Sequence, residues 1–172
     1  MRRRTFVVTI TGLLTALSVI ALYLSSAFPN AKLSLAAVAS LFAASALIEA
    51  GIGAAAFVFV GSAILSYLLL PAKDGVLLYV LFFGYYPVVK SLAERLRNRV
   101  LEWAIKLLVF NGALTVLWLF LRGLFAPNVA VLSPIIVYLI ANAAFCVFDL
   151  GLTRLLFIYA RRVSKFLRKN QR

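Results

Sequence analysis

The chain alternates long apolar runs with short polar breaks. About 20 predominantly apolar residues, rising about 1.5 Å each as a helix, cross the roughly 30 Å hydrocarbon layer of a bilayer. Six segments follow from the pattern, at 5–28, 33–49, 52–70, 76–90, 101–121 and 130–160. The first stops at Pro29-Asn30, a turn pair. From Leu33 to Leu70 the chain is apolar except for Glu49, about twice the length one crossing needs, so it must reverse. The reversal falls at Glu49-Ala50-Gly51-Ile52-Gly53, where two glycines loosen the backbone and Glu49 can sit at the interface near the start of the next helix. Pro71 to Gly75 forms a polar turn before a short aromatic fourth span, in which Pro87 kinks the inner end and Tyr85 and Tyr86 are expected as interfacial belt residues. Arg122, Pro127 and Asn128 separate the fifth span from the sixth. The pattern predicts an all-α polytopic membrane protein, a six-transmembrane-helix bundle forming one domain over 1–172.

Composition strengthens that assignment. With 65% hydrophobic residues and a mean hydropathy of +1.04, the polar surface is too small to cover a soluble globule. The net charge of +13 reports topology and lipid headgroups rather than nucleic acid. Of the 18 Lys and Arg, 14 fall on one side, in the N-terminal run, in Lys90, Arg95, Arg97 and Arg99, and from Arg154 onward. Lys32, Lys73 and Arg122 fall on the other side. The positive-inside rule then puts both termini in the cytoplasm, with a basic tail over 161–172. The expected location is the bacterial inner membrane. The basic start resembles a signal peptide, but the apolar core is longer and no cleavage site precedes a soluble domain, so a retained first span is expected.

The chain has no His and one Cys, Cys146, which reads as a small packing residue. Its five carboxylates are scattered, and no phosphate-binding or dinucleotide-binding glycine pattern occurs. These features argue against metal sites, Cys/His nucleophiles and His-dependent triads, and the expectation is a protein that is not an enzyme and takes no cofactor.

Several polar residues nevertheless lie within the spans. Glu102 and Lys106 have the spacing of a helical ion pair, with Lys106 shallow enough to snorkel. Counting along the helices places Asn111 and Asp149 at similar depth, with Lys106 and Arg154 about one to two turns nearer the cytoplasm. Lys106, Asp149 and Arg154 are therefore expected to form an intramembrane charge network, Asp149 pairing with Lys106 or Arg154. A proton or ion relay is the sharper alternative, and the lack of an acidic or His partner argues against it. Gly12 and Ala16 give the first helix a small-residue face suited either to a partner or to packing within the bundle. Ala36, Ser40 and Ala44 repeat that spacing, and with Gly61 they predict close packing of the second and third helices. Between Lys90 and Arg99, Leu92 and Leu96 recur beneath basic residues, the pattern of an amphipathic segment on the membrane, of a docking surface, or of a solvated loop.

With six helices, fewer than 200 residues, cytoplasmic termini and an opening span TGLLTALSVIALYL, the chain resembles the substrate-binding S component of energy-coupling factor (ECF) vitamin transporters. The resemblance implies dependence on a transmembrane coupling subunit and cytoplasmic ATPases, with toppling in the membrane to carry substrate inward. It also implies an Ala-xxx-Ala contact with the coupling subunit, for which Gly12-Leu13-Leu14-Thr15-Ala16 is the nearest match, with Gly replacing the first Ala. The family's pocket lies in the outer half, which here points to Tyr79, Trp118, Tyr138 and Asn142, with Asn111 near the midplane. An Asn offers both donor and acceptor, and aromatics stack on flat rings. Hydrogen bonding between helices is the plainer role for Asn111 and Asn142. The short first external loop, Pro29 to Lys32, and the few polar groups fit a relatively apolar ligand, or loss of transport altogether, better than a highly charged vitamin. The ligand class expected is therefore a small vitamin-like or apolar molecule. The competing function is a noncatalytic scaffold subunit of bacterial cell-envelope or cell-shape machinery, and a lipid-handling transporter is a third.

Overall fold

The computed structural model describes residues 2–96, 98–125 and 134–161, and side chains over 4–96, 98–119 and 135–161. Every regular element among them is helical: α1 (Arg2–Ala27), α2 (Lys32–Ala50), α3 (Ile52–Leu69), α4 (Asp74–Leu78), α5 (Tyr86–Ala93), α6 (Arg99–Phe125) and α7 (Pro134–Tyr159), with a 3-10 turn at Pro29–Ala31 and a π-helical segment at Tyr79–Phe83. Six helices among the described residues are long and apolar enough to cross a membrane: Arg4–Ala27, Pro29–Ala50, Ile52–Leu69, Asp74–Ala93, Arg99–Leu119 and Ile135–Tyr159. The described residues are thus all-helical, and their six long apolar helices have the length and composition of a multi-pass membrane protein. Pro127, Asn128, Arg97 and the tail beyond Arg161 lie outside the described residues.

The chain divides into two compact units, Met1–Val88 with Thr153–Arg172, and Val89–Leu152. In the first, α1, α2 and α3 pack on one another, and α4 and the π segment pack on α2. Small side chains permit this: Ala36, Ala39, Ala43, Ala44 and Ala55 are fully buried, and Leu14, Ala46 and Val58 fill the space between helices. Among helices in lipid, such close approach gains dispersion contacts that larger residues would block. The small-residue face of α2 is buried as its spacing implies, but Gly61 of α3 faces α1, where an added Cβ would lie 3.3 Å from Thr15 Cγ2.

Gly51 alone separates α2 from α3, with φ +89° and ψ −173°, a backbone region open almost only to glycine. Gly53 lies inside α3 with open space around it. Glu49 belongs to the last turn of α2, and among the described residues its Oε1 is buried without a hydrogen-bond partner.

Pro87 shapes the fourth span from behind. A proline ring crowds the carbonyl four residues earlier and offers no N–H to it, and the ladder preceding α5 slips to the wider π spacing, Gly84 N–H donating to Tyr79 O at 2.7 Å. Tyr86 is not a belt residue: it is fully buried, its ring centroid 4.8 Å from that of Phe82. Tyr85 is half-buried and donates to Leu81 O at 2.6 Å.

In the second unit, α6 and α7 meet as an antiparallel pair. Contacts run in reversed order along the two helices, Lys106 with Asp149, Phe110 with Phe145, Asn111 with Asn142 and Thr115 with Tyr138. The stacked Phe110 and Phe145 rings, centroids 4.5 Å apart, separate an ionic layer from an amide layer. Asn98 begins α6 by accepting the Val100 N–H at 3.0 Å, the standard chemistry of an N-terminal cap.

Candidate functional site

Polar chemistry concentrates in two layers of the second unit. The ionic layer gathers Lys90 from α5, Lys106 from α6 and Asp149 from α7, each no more than 2% exposed. Lys90 Nζ lies 2.5 Å from Asp149 Oδ1, and Lys106 Nζ lies 3.3 Å from Asp149 Oδ2. Glu94 Oε1 bridges both ammonium groups, at 2.7 Å from Lys90 and 3.1 Å from Lys106. Glu102, one turn before Lys106, adds a contact at 2.7 Å. Lys90 also reaches the Asp149 backbone carbonyl at 3.4 Å.

An ammonium group has three N–H donors, and each lysine here finds three oxygen partners. The Trp103 ring, with its centroid 5.5 Å from Lys106 Nζ, adds a weak cation–π contact. Such complete pairing is what lets charge persist away from water. Two cations face three carboxylates, one of them, Asp149, buried between the lysines and two nearer the rim. The physical effect of the layer is to fasten α5, α6 and α7 at one level.

Lys106 and Asp149, expected in one network, are in contact. Lys106 does not snorkel toward water; it turns inward to Asp149. Arg154 is exposed and belongs to the other unit. Lys90 and Glu94 were not assigned to the network from sequence, because a lysine closing an apolar span reads as a topological charge. Their spacing of four was the available signal.

The amide layer lies one to two turns along α6. Asn111 Nδ2 donates to Asn142 Oδ1 and Asn142 Nδ2 donates to Asn111 Oδ1, both at 3.0 Å. Their remaining N–H groups donate to Leu107 O at 2.9 Å and Tyr138 O at 2.8 Å. A turn further, the Thr115 hydroxyl donates to Asn111 O at 2.7 Å, leaving Tyr138 to donate to Thr115 Oγ1, also at 2.7 Å. Beside this ladder an open depression of about 460 Å³ is lined by Ile135, Tyr138, Leu139 and Asn142. It is apolar except for the Tyr138 hydroxyl and the Asn142 amide, which can orient a small molecule that the two aliphatic residues help to enclose.

Asn111, Tyr138 and Asn142 are thus brought together, and Trp118 is half-buried further along α6. Tyr79 lies in the first unit, fully buried, its hydroxyl 3.0 Å from Ser62 Oγ. Ser62 Oγ lies at 2.6 Å from Val58 O as well. Gly12 and Ala16 are exposed on α1, and among the described residues nothing beyond the local backbone of α1 lies within 4 Å of a Cβ added at Gly12. Among the described residues, no group of His, Cys, Asp and Glu is arranged to hold a metal ion. No family model, no curated protein and no solved structure matches the chain.

Proposed function

We propose that the chain is the membrane-embedded small-molecule-binding component of an uptake transporter, of the ECF S-component type, dependent on a separate coupling subunit and ATPases. The observation that carries this reading is the Asn111–Asn142–Tyr138–Thr115 ladder beside its depression. Hydrogen-bonding side chains are costly within an apolar span and are retained where they join helices or meet a ligand. Here Asn142 and Tyr138 are placed for both, since each bonds across to α6 and also lines the depression. The ligand is a small vitamin-like or largely apolar molecule with a hydrogen-bonding group for Asn142 and a flat face for Tyr138. The open face around Gly12 and Ala16 is the surface for the coupling subunit, both termini are cytoplasmic, and the membrane is the bacterial inner membrane.

A noncatalytic scaffold is the second reading. It is favoured by the internal use of all four carboxamide N–H groups of Asn111 and Asn142, which is how a purely structural clamp is built. Affinity purification from native membranes in mild detergent, with mass spectrometry of the partners, separates the two. Recovery of a coupling subunit with paired ATPases, reduced by Gly12→Leu, is the expected result. Recovery of cell-envelope machinery instead would overturn the transporter reading.

A further inference from the structure

The α5–α6 turn carries alternating acidic and basic residues, Glu94, Arg95, Arg97, Arg99 and Glu102, and the structure sorts the described ones, Glu94, Arg95, Arg99 and Glu102. Both carboxylates are taken up by buried lysines, Glu94 by Lys90 and Lys106, and Glu102 by Lys106. Arg95 and Arg99 are exposed and make no ion pair among the described residues. The five-residue ionic cluster retains one negative charge, which the three arginines of the turn outweigh.

The same turn exposes apolar side chains beside those cations. Leu92 is 48%, Leu96 37% and Val100 78% exposed, and Trp103 is half-buried one turn into α6, the kind of residue that settles at headgroup depth. Cations alternating with aliphatic residues at the end of a membrane span match one kind of partner, which presents phosphate oxygens above acyl chains. Arginine suits the phosphate because its planar fork can donate two parallel hydrogen bonds.

From this charge complementarity we infer that the α5–α6 turn is a binding site for an anionic phospholipid, with Arg95 and Arg99 on the headgroup phosphate and Leu96 and Val100 against the acyl chains. The inward lysines have a role in this arrangement, since by pairing with Glu94 and Glu102 at the rim they offset the charge of the two carboxylates that would repel an anionic headgroup. Lys90 and Lys106 do not themselves bind the lipid, because their N–H donors are already engaged.

The test is native mass spectrometry of the delipidated full chain, titrated in detergent with phosphatidylglycerol, with phosphatidylcholine of the same acyl chains, and with inorganic phosphate. The expected result is preferential retention of phosphatidylglycerol, weakened about tenfold or more by Arg95→Gln with Arg99→Gln, and no comparable binding of phosphate alone. Equal retention of the two lipids by the wild-type chain, full displacement of phosphatidylglycerol by inorganic phosphate, or an unchanged preference in the double variant would each overturn it. The lipid comparison on the wild-type chain stands whether or not the variant folds.

Discussion

Lys90 and Asp149, 59 positions apart, place ammonium and carboxylate 2.5 Å from each other with both side chains almost wholly buried. The contact ties the end of α5 to the middle of α7, and through the second Asp149 oxygen it also reaches Lys106 of α6. Asp149 is the only one of the cluster's three carboxylates that shares the lysines' burial.

Asp149→Asn should consequently cost far more than loss of a rim carboxylate. Two buried ammonium groups would keep only Glu94 and Glu102, and breaking a buried pair costs about 3–5 kcal/mol. Glu94 is 41% exposed, and Glu94→Gln should cost about 1 kcal/mol or less. Thermal unfolding in detergent would distinguish these outcomes. Comparable losses for the two variants would contradict the buried-triad account.

The reciprocal carboxamides should behave as one unit. Asn111→Leu or Asn142→Leu leaves the other amide short of both a donor and an acceptor, whereas the double variant removes both. A double-mutant cycle on unfolding free energy should show coupling of about 0.6 kcal/mol, the average for hydrogen bonds between membrane helices, and at most about 1.7 kcal/mol. Simple additivity would mean that the pair contributes nothing jointly.

Close packing in the first unit gives a prediction for its glycines. A Cβ on Gly84 would run into the Phe59 and Tyr79 rings, and Gly84→Ala should destabilise by about 1–3 kcal/mol through overpacking. Gly12, with open space around it, should accept Ala with little change in thermal stability. Gly51→Ala should cost about 1–3 kcal/mol for a different reason, backbone strain at φ +89°.

These contrasts also mark what was legible in the sequence. The spans emerged from length and apolarity, because a bilayer sets both. The Glu102–Lys106 pair followed from helical spacing. Depth counting put Asn111 level with Asp149 and Lys106 about one to two turns away, whereas Lys106 meets Asp149 and Asn111 meets Asn142. Rotation about each helix axis was not legible. A helix that is apolar on every face has no periodic signal to say which way it turns. Tyr86 was therefore expected at the interface although it is buried, and Gly61 was expected against α2 although it meets Thr15 of α1. Tyr79 shared a level with the amide residues in the sequence count, and depth alone could not show that Ser62 would take its hydroxyl. Lys90 was hidden by the positive-inside rule, which gives a basic residue at a span end a sufficient role without any partner.

The most direct test of ligand binding at the α6–α7 ladder is mass spectrometry of the small molecules retained by the chain after mild purification from native membranes, compared with Asn142→Leu. A near-stoichiometric small molecule in the wild-type protein, reduced about tenfold or more in the variant as expected when a hydrogen-bonding site loses its polar partner, is the predicted result. A wild-type protein that retains no small molecule, or one retained equally by the variant, would contradict the account.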